Sequence, residues 1–200
     1  MKKISIEKIL KEKDALLEGH FILSSGLHSN KYVQCAKVLQ YPKIAEQLAK
    51  LLAIKLFTLH AEFIPIKSGR FTVDVVVSPA IGGLVIGQEV ARQLKCRAIF
   101  CERENGAMTL RRGFEIKKNE KCLVVEDVIT TGGSTKEVIE VVKSYGGKVT
   151  GIASIIDRSN LESFCVSLLK LKIETYKPEN CLLCKKGLPL VKPGSKNLKP

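Results

Sequence analysis

Cys122-Leu123-Val124-Val125-Glu126-Asp127-Val128-Ile129-Thr130-Thr131-Gly132-Gly133-Ser134-Thr135 decides how the rest of this chain is read. Cys122 to Val125 is a continuous apolar run, the pattern of a strand buried on both faces of a parallel sheet. Two carboxylates, Glu126 and Asp127, end the run, and beyond Ser134 the residues Val138, Val141, Val142 and Tyr145 recur at helical spacing. The stretch therefore reads as strand, loop and helix. Ser134 with Glu137 three residues on has the form of a capping box, which places a helix N-terminus at the end of the loop. Unpaired backbone N–H groups and the positive end of the helix dipole then point into a loop where glycines admit an anion and hydroxyls add donors. The pattern predicts a phosphate cradle. It is not the ATP-type loop, which needs a lysine where Gly133 stands. The two acids beside the cradle are badly placed for further phosphate and well placed to accept hydrogen bonds from vicinal sugar hydroxyls. A ribose 5-phosphate satisfies both halves.

Two hundred residues at 45% hydrophobic content are enough for one domain with a substantial core and a small appendage. No run approaches the ~20 apolar residues of a membrane helix, and the N-terminal Met-Lys-Lys-Ile-Ser-Ile-Glu lacks an apolar signal core. A cytoplasmic protein is expected. Seven cysteines are an odd number, and Cys35, Cys96, Cys101, Cys122 and Cys165 lie in or beside apolar runs, so they read as reduced core residues. The net charge of +13 raises nucleic acid as a partner, but residues 170–200 carry eight lysines against Glu174 and Glu179. A lysine-rich solvated tail and a polyanionic small substrate account for the charge without RNA.

Along the chain, Ser5 to Leu17 shows one helical apolar face with Gly19 as its stop, and Phe21 to Gln34 reads as a hairpin around a Ser/Gly/Asn turn. Pro42 opens a helix through about Phe57, and 63–70 reads as a loop or irregular edge. Val73 to Val77 is a buried strand leading through Ser78-Pro79-Ala80-Ile81-Gly82-Gly83 into a helix. Arg97 to Cys101 is the next strand, Glu102 to Gly113 a polar loop, and Gly146-Gly147 a left-handed cap to the helix after the cradle. Lys148 to Ile156 is a further strand ended by Asp157-Arg158-Ser159, and Val166 to Lys172 alternates like an edge or half-exposed strand. Strands alternating with helices imply a parallel sheet covered on both faces, with ligands at the carboxyl ends of its strands.

Val124 to Ser134 resembles the 5-phosphoribosyl-1-diphosphate (PRPP) motif of type I phosphoribosyltransferases. Phe21 to Ser29 is similar to the N-terminal hood hairpin of the orotate phosphoribosyltransferases, and Cys101 to Glu104 with Met108 to Phe114 resembles their mobile catalytic loop. The resemblance implies an α/β fold, a central mostly parallel sheet flanked by helices with a small N-terminal hood. It divides the chain into an N-terminal helix and hood at 1–40, a core at 41–175 and a basic tail at 176–200. It implies transfer of ribose 5-phosphate from PRPP to orotate, giving orotidine 5'-monophosphate and pyrophosphate, with magnesium carried mainly by PRPP, in a homodimer. Its site would comprise Glu126, Asp127, Val128, Ile129, Thr130, Thr131, Gly132, Gly133, Ser134 and Arg103 for PRPP, with Asp127, Glu126 and Arg103 catalytic. Thr130 and Arg158 would face orotate, Arg158 through its two-pronged guanidinium. Gly106 and Gly113 would lend the catalytic loop hinge-like freedom to close across the dimer.

The chain departs from this pattern at Ser24 and Gly82, where the family carries lysines, so Arg111, Arg112 and Lys31 join Arg103 as candidates for neutralising pyrophosphate. The bland readings are a solvated face for Arg111 and Arg112, a structural Arg158, and a turn or surface position for His28. Cys181-Leu182-Leu183-Cys184 has zinc-ligand spacing, but zinc needs four ligands and no second pair follows. A redox pair or two packed thiols are therefore preferred to zinc, which would have to be shared across a dimer. The rivals in function are a purine type I phosphoribosyltransferase and a PRPP-fold regulator that binds nucleic acid.

Overall fold

The computed structural model describes residues 5–23, 25–63, 72–159 and 165–193. Ser24, residues 64–70 of the stretch expected as loop, and the tail lysines Lys196 and Lys199 lie outside the described residues. The chain divides into two compact units, Met1–Val38 with Leu171–Pro200, and Leu39–Lys170.

In the first unit, helix α1 (Ile6–Glu12) is capped by Ser5, whose Oγ accepts from the Lys8 N–H at 3.3 Å. It stops earlier than the apolar periodicity suggests. Asp14 takes a left-handed conformation (φ 50°), and the chain enters strand β1 (Leu16–Ile22) instead of continuing to Leu17. Gly19 thus lies inside a strand, beside a register shift between Glu18 and Phe21. β1 pairs antiparallel with β2 (His28–Val33), giving the expected hairpin. Helix α2 (Ala36–Leu39) leads out of it.

The second unit begins with helix α3 (Pro42–Phe63), which buries Leu48, Leu52 and Leu56 completely. Strand β3 (Val75–Pro79) leads to α4 (Gly83–Leu94), β4 (Arg97–Glu104) and β5 (Ala107–Leu110). Then follow β6 (Lys121–Ile129), α5 (Gly133–Ser144), β7 (Lys148–Asp157) and β8 (Cys165–Lys170). Among the described residues these strands form one sheet ordered β5-β4-β3-β6-β7-β8, parallel throughout except for β5, with β8 at an edge as its alternation predicts. The stretch read as a polar loop at 102–113 is largely a hairpin. β4 pairs with β5 across Asn105 and Gly106, both at positive φ (51° and 85°), the conformation of a tight two-residue hairpin turn.

After β3 the chain steps to one side of the sheet, and after β6 it steps to the other. The order reverses between β3 and β6, and such a switch point opens a crevice at the strands' carboxyl ends. The buried residues Val75, Val77, Ile99, Cys101, Cys122 and Val124 pack with Val138 and Val142 of α5 on one face. α4 packs on the other, where a Cβ on Gly87 would lie 3.6 Å from Val76 Cγ1. Among the described residues no helix is long and apolar enough to cross a membrane.

Gly83 and Gly133 occupy equivalent first positions of α4 and α5 but differ in surroundings. A Cβ on Gly83 would lie 2.9 Å from the Val125 carbonyl oxygen and 3.1 Å from Ser78 Cβ, whereas one on Gly133 meets nothing nearer than Thr131 Oγ1 at 3.7 Å. Gly83→Ala is expected to cost about 1–3 kcal/mol by overpacking, while Gly133→Ala leaves stability within about 0.5 kcal/mol. Denaturant unfolding of the two variants checks this, and equal losses would contradict the close packing of α4 on β6.

Candidate active site

Strand β6 does not end at Val125 as its apolar run suggests. Pairing with β7 carries it through Glu126 and Asp127 to Ile129, so both acids stand on a strand at the sheet's carboxyl end. Glu126 is buried and Asp127 half-buried. The Val128 N–H donates to Asp127 Oδ1 at 2.8 Å, and the Asp127 N–H donates to Glu126 Oε1 at 3.1 Å. Burial, reinforced by the neighbouring Asp127 charge and a side-chain hydrogen bond to it, pushes the Glu126 carboxyl well above the usual carboxylate range. Gly82, in the loop after β3, lies so close that a Cβ there would sit 2.7 Å from Asp127 Oδ1. A lysine at this position could not keep the same approach, which is the physical sense of that departure. The peptide between Ala80 and Ile81 is cis.

Thr130 and Thr131 are exposed, and Gly132 turns the chain into α5 in the left-handed conformation (φ 77°). The strand, glycine loop and helix start expected at this stretch are present, with one correction. Gly132, not Ser134, caps the helix, and the first helical hydrogen bond runs from the Lys136 N–H to the Gly132 carbonyl at 2.9 Å. Gly133, Ser134 and Thr135 fill the first turn, whose N–H groups have no intrahelical acceptor. Glu137 does not close a capping box, because its carboxylate pairs with Arg103 Nη2 at 2.5 Å. The left-handed glycine begins the helix before Ser134 can serve as its cap.

The arginines of the β4–β5 hairpin are likewise engaged. Arg103 Nη1 also donates to the Gly106 carbonyl at 2.7 Å, Arg111 pairs with Glu104 at 3.1 Å, and Arg112 forks onto Glu102 at 2.9 and 3.0 Å. These pairs are exposed and individually weak, of order 0–1 kcal/mol, so a polyphosphate can displace them. Lys31 belongs to the first unit, on β2, 3.7 Å from Glu18.

Arg158 follows β7, and its N–H donates to the Ile129 carbonyl at 2.8 Å, which ties it to the end of β6 next to Thr130. Its guanidinium is partly buried, and its Nε has no hydrogen-bond partner among the described residues. Desolvation lowers its pKa. Neighbouring Asp157 makes no ion pair with it among the described residues, and Asp157 Oδ1 accepts from the N–H and Oγ of Ser159 at 2.8 and 2.7 Å. Glu126, Asp127, Thr130 to Ser134 and Arg158 thus meet at the carboxyl ends of β6 and β7. Sequence reasoning missed the approach of Gly82 to Asp127. It also missed His20, and His28, expected at a turn or surface position, is buried on β2 with its ring beside that of His20.

A family model described as a phosphoribosyl transferase domain matches residues 37–164. A protein named orotate phosphoribosyltransferase from Caldicellulosiruptor saccharolyticus is 52% identical over 203 aligned positions, covering 100% of both chains. Its namesake from Thermotoga maritima is 51% identical, covering 97% of this chain and 100% of the other. Among solved structures, the orotate phosphoribosyltransferase from Aeropyrum pernix superposes with a TM-score of 0.66 at 26% identity, covering 84% of this chain and 94% of that one. The chain belongs to the phosphoribosyltransferase family, and the full-length relatives at about half identity place it beside those named for orotate.

The raised Glu126 pKa has a consequence for stability. Above the ordinary carboxylate range the native state binds a proton that the unfolded chain has released, so this group makes stability fall as pH rises through the interval up to its folded value. Glu126→Gln, which cannot ionise, is expected to flatten that decline and to melt higher than the parent at alkaline pH. Melting scans across pH check this, and parallel curves for the two proteins would contradict the assignment.

Proposed function

We propose that this protein catalyses transfer of ribose 5-phosphate from PRPP to orotate, producing orotidine 5'-monophosphate and pyrophosphate in pyrimidine nucleotide synthesis. The observation that carries this reading is the partly buried Arg158, whose Nε has no hydrogen-bond partner among the described residues, set at the end of β7 and tied to the residue before Thr130. An unneutralised, partly desolvated cation is costly, and a planar carboxylate meeting its fork relieves that cost. Orotate carries such a carboxylate, and adenine and hypoxanthine do not.

The 5-phosphate of PRPP takes the first-turn N–H groups of α5 at Gly133, Ser134 and Thr135, with Thr130 and Thr131 supplying hydroxyls. The ribose hydroxyls take Asp127 and Glu126. Cleavage of the anomeric C–O bond builds positive charge on the ribose and negative charge on the departing pyrophosphate, so the site needs acids near the sugar and cations near the leaving group, with no protein nucleophile. Asp127 meets the first need, and the Glu126 carboxyl, whose pKa burial raises, hydrogen-bonds the ribose hydroxyls. Arg103, released from Glu137, meets the second, with Arg111 and Arg112 as further cations on the same hairpin. Magnesium bound with PRPP would spread the leaving group's charge. The hard carboxylate oxygens of Asp127 would fit that ion. The same reading brings a homodimer in which the β4–β5 hairpin acts, and a cytoplasmic location. Neither a nucleic-acid partner nor a purine base has a residue at the site arguing for it.

Assay of orotate against adenine, hypoxanthine and uracil with PRPP tests the reading, with PRPP-dependent loss of absorbance expected for orotate. Arg158→Ala is expected to weaken orotate by about 1.5–3 kcal/mol while sparing PRPP. Asp127→Asn is expected to lower kcat more than it weakens PRPP binding, because its contact tightens as the ribose gains charge. Preference for a purine base, or equal loss of both ligands in Arg158→Ala, would contradict the orotate assignment.

A further inference from the structure

Within the first unit, the segment after β8 folds back onto both edges of the hairpin. Strand β9 (Thr175–Tyr176) pairs with β2 through His28↔Tyr176 and Ser29↔Thr175. Farther on, Val191 lies beside β1, its N–H donating to the His20 carbonyl at 2.8 Å and its carbonyl accepting from the Ile22 N–H at 2.9 Å. The chain between these two anchors must cross the hairpin. It does so through a 3-10 turn (Pro178–Asn180) and helix α6 (Leu182–Lys185), which carry Cys181 and Cys184 to His20 and His28. His20 reaches them from the irregular stretch of β1, where the register shift alters the simple alternation of the strand.

One potential ligand atom from each of the four residues lies within 4.8 Å of all the others. His20 Nε2 is 2.9 Å from His28 Nδ1, 3.5 Å from Cys181 Sγ and 3.7 Å from Cys184 Sγ. Cys184 Sγ is 3.3 Å from His28 Nδ1. Tetrahedral zinc with bonds of about 2.05 Å to nitrogen and 2.3 Å to sulfur sets its ligands about 3.3 Å apart for N and N, and about 3.6 Å for N and S. The observed spacings approach these values. The tautomer agrees as well. His20 Nδ1 lies 2.9 Å from the Leu188 carbonyl, which can only accept, so the proton sits on Nδ1 and the Nε2 lone pair faces the cluster. That lone pair faces one nitrogen and two sulfurs together, more neighbours than hydrogen bonding can serve and a natural set around a cation. Three of the residues are buried and Cys184 is exposed, which leaves a route for entry.

We propose that His20, His28, Cys181 and Cys184 bind a structural zinc ion that fastens the C-terminal segment across the N-terminal hairpin. The pair that the CxxC motif lacks in sequence comes from the hairpin of the same chain, so no second chain is needed to complete the site. Binding replaces two S–H protons, released to solvent, by two zinc–sulfur bonds. The resulting centre of one divalent cation and two thiolates is neutral, as its buried position favours. Its soft nitrogen and sulfur donors are unsuited to magnesium, so this metal is distinct from the ion that accompanies PRPP.

The test is elemental analysis of the full untagged chain, purified under reducing conditions without chelator. About one zinc per chain is expected, with four protein ligands closing the site. Replacement of zinc by cobalt(II) is expected to give the visible bands of a tetrahedral ion together with thiolate-to-metal charge transfer. Cys184→Ser, at the exposed ligand, and His28→Ala are expected to lose most of the metal and the cobalt spectrum, and Cys96→Ser to keep both. Chelation is expected to lower the melting temperature of the parent chain and to leave that of Cys184→Ser unchanged. A chain that neither carries zinc nor gives the tetrahedral cobalt spectrum would overturn the proposal, and so would iron in place of zinc. Equal metal in Cys184→Ser and Cys96→Ser would overturn it too. Because the cobalt spectrum is read on the parent chain, the proposal stays testable if a variant fails to fold.

Discussion

The approach of the loop after β3 to the Asp127 carboxylate is the constraint on which the site depends. The strand order reverses between β3 and β6, so no crossover helix lies across their carboxyl ends, and the two loops meet there. Gly82 and Gly83 let one loop close on the other. A Cβ on either would lie within 3.0 Å of an Asp127 or Val125 oxygen. That closeness sets the Asp127 carboxylate against the loop after β3, while Glu126 is held in the more buried position. The acid pair, the helix N-terminus and Arg158 then share one end of the sheet because β6 and β7 are neighbours in register, with Ile129 opposite Asp157.

The electrostatics of the site follow from unequal burial. Glu126 is deprived of water beside another acid and holds its proton, while Arg158 is deprived of water with no carboxylate partner among the described residues. Burial thus favours the neutral form of both groups, raising the pKa of one and lowering that of the other. The hairpin arginines are exposed and already paired, so they can exchange a protein carboxylate for a phosphate at little cost. The protein thus keeps its committed charges inside and its exchangeable charges outside.

Much of this was readable before the structure. The apolar runs of β3, β6 and β7 and the helical spacing of α4 and α5 specify the sheet, because buried parallel strands and amphipathic helices leave unlike periodicities. The strand, glycine loop and helix of the candidate site were readable for the same reason, in immediate succession. What failed was local and conformational. The apolar face of α1 runs on to Leu17, but Asp14 turns left-handed and diverts the chain into β1. Ser134 and Glu137 match a capping box, yet Gly132 begins the helix first and Glu137 is drawn to Arg103. The polar loop at 102–113 has the composition of a loop, while Asn105-Gly106 was a hairpin signal in plain view. His28 reads as a turn residue in isolation, because its neighbours His20 and Cys184 are brought to it only by a strand irregularity and by a segment about 150 residues away.

The central claim is that the N-terminus of α5, between the β6 acids and the loop hydroxyls, holds the 5-phosphate of the ribose. Amide resonances of a nitrogen-15-labelled chain, followed while ribose 5-phosphate is added, test it most directly. Saturable shifts concentrated at Thr131, Gly132, Gly133, Ser134 and Thr135 are predicted, with the Gly133 to Thr135 amides moving most, since these N–H groups would gain an anionic acceptor. Saturable shifts elsewhere with those amides unmoved would contradict the account.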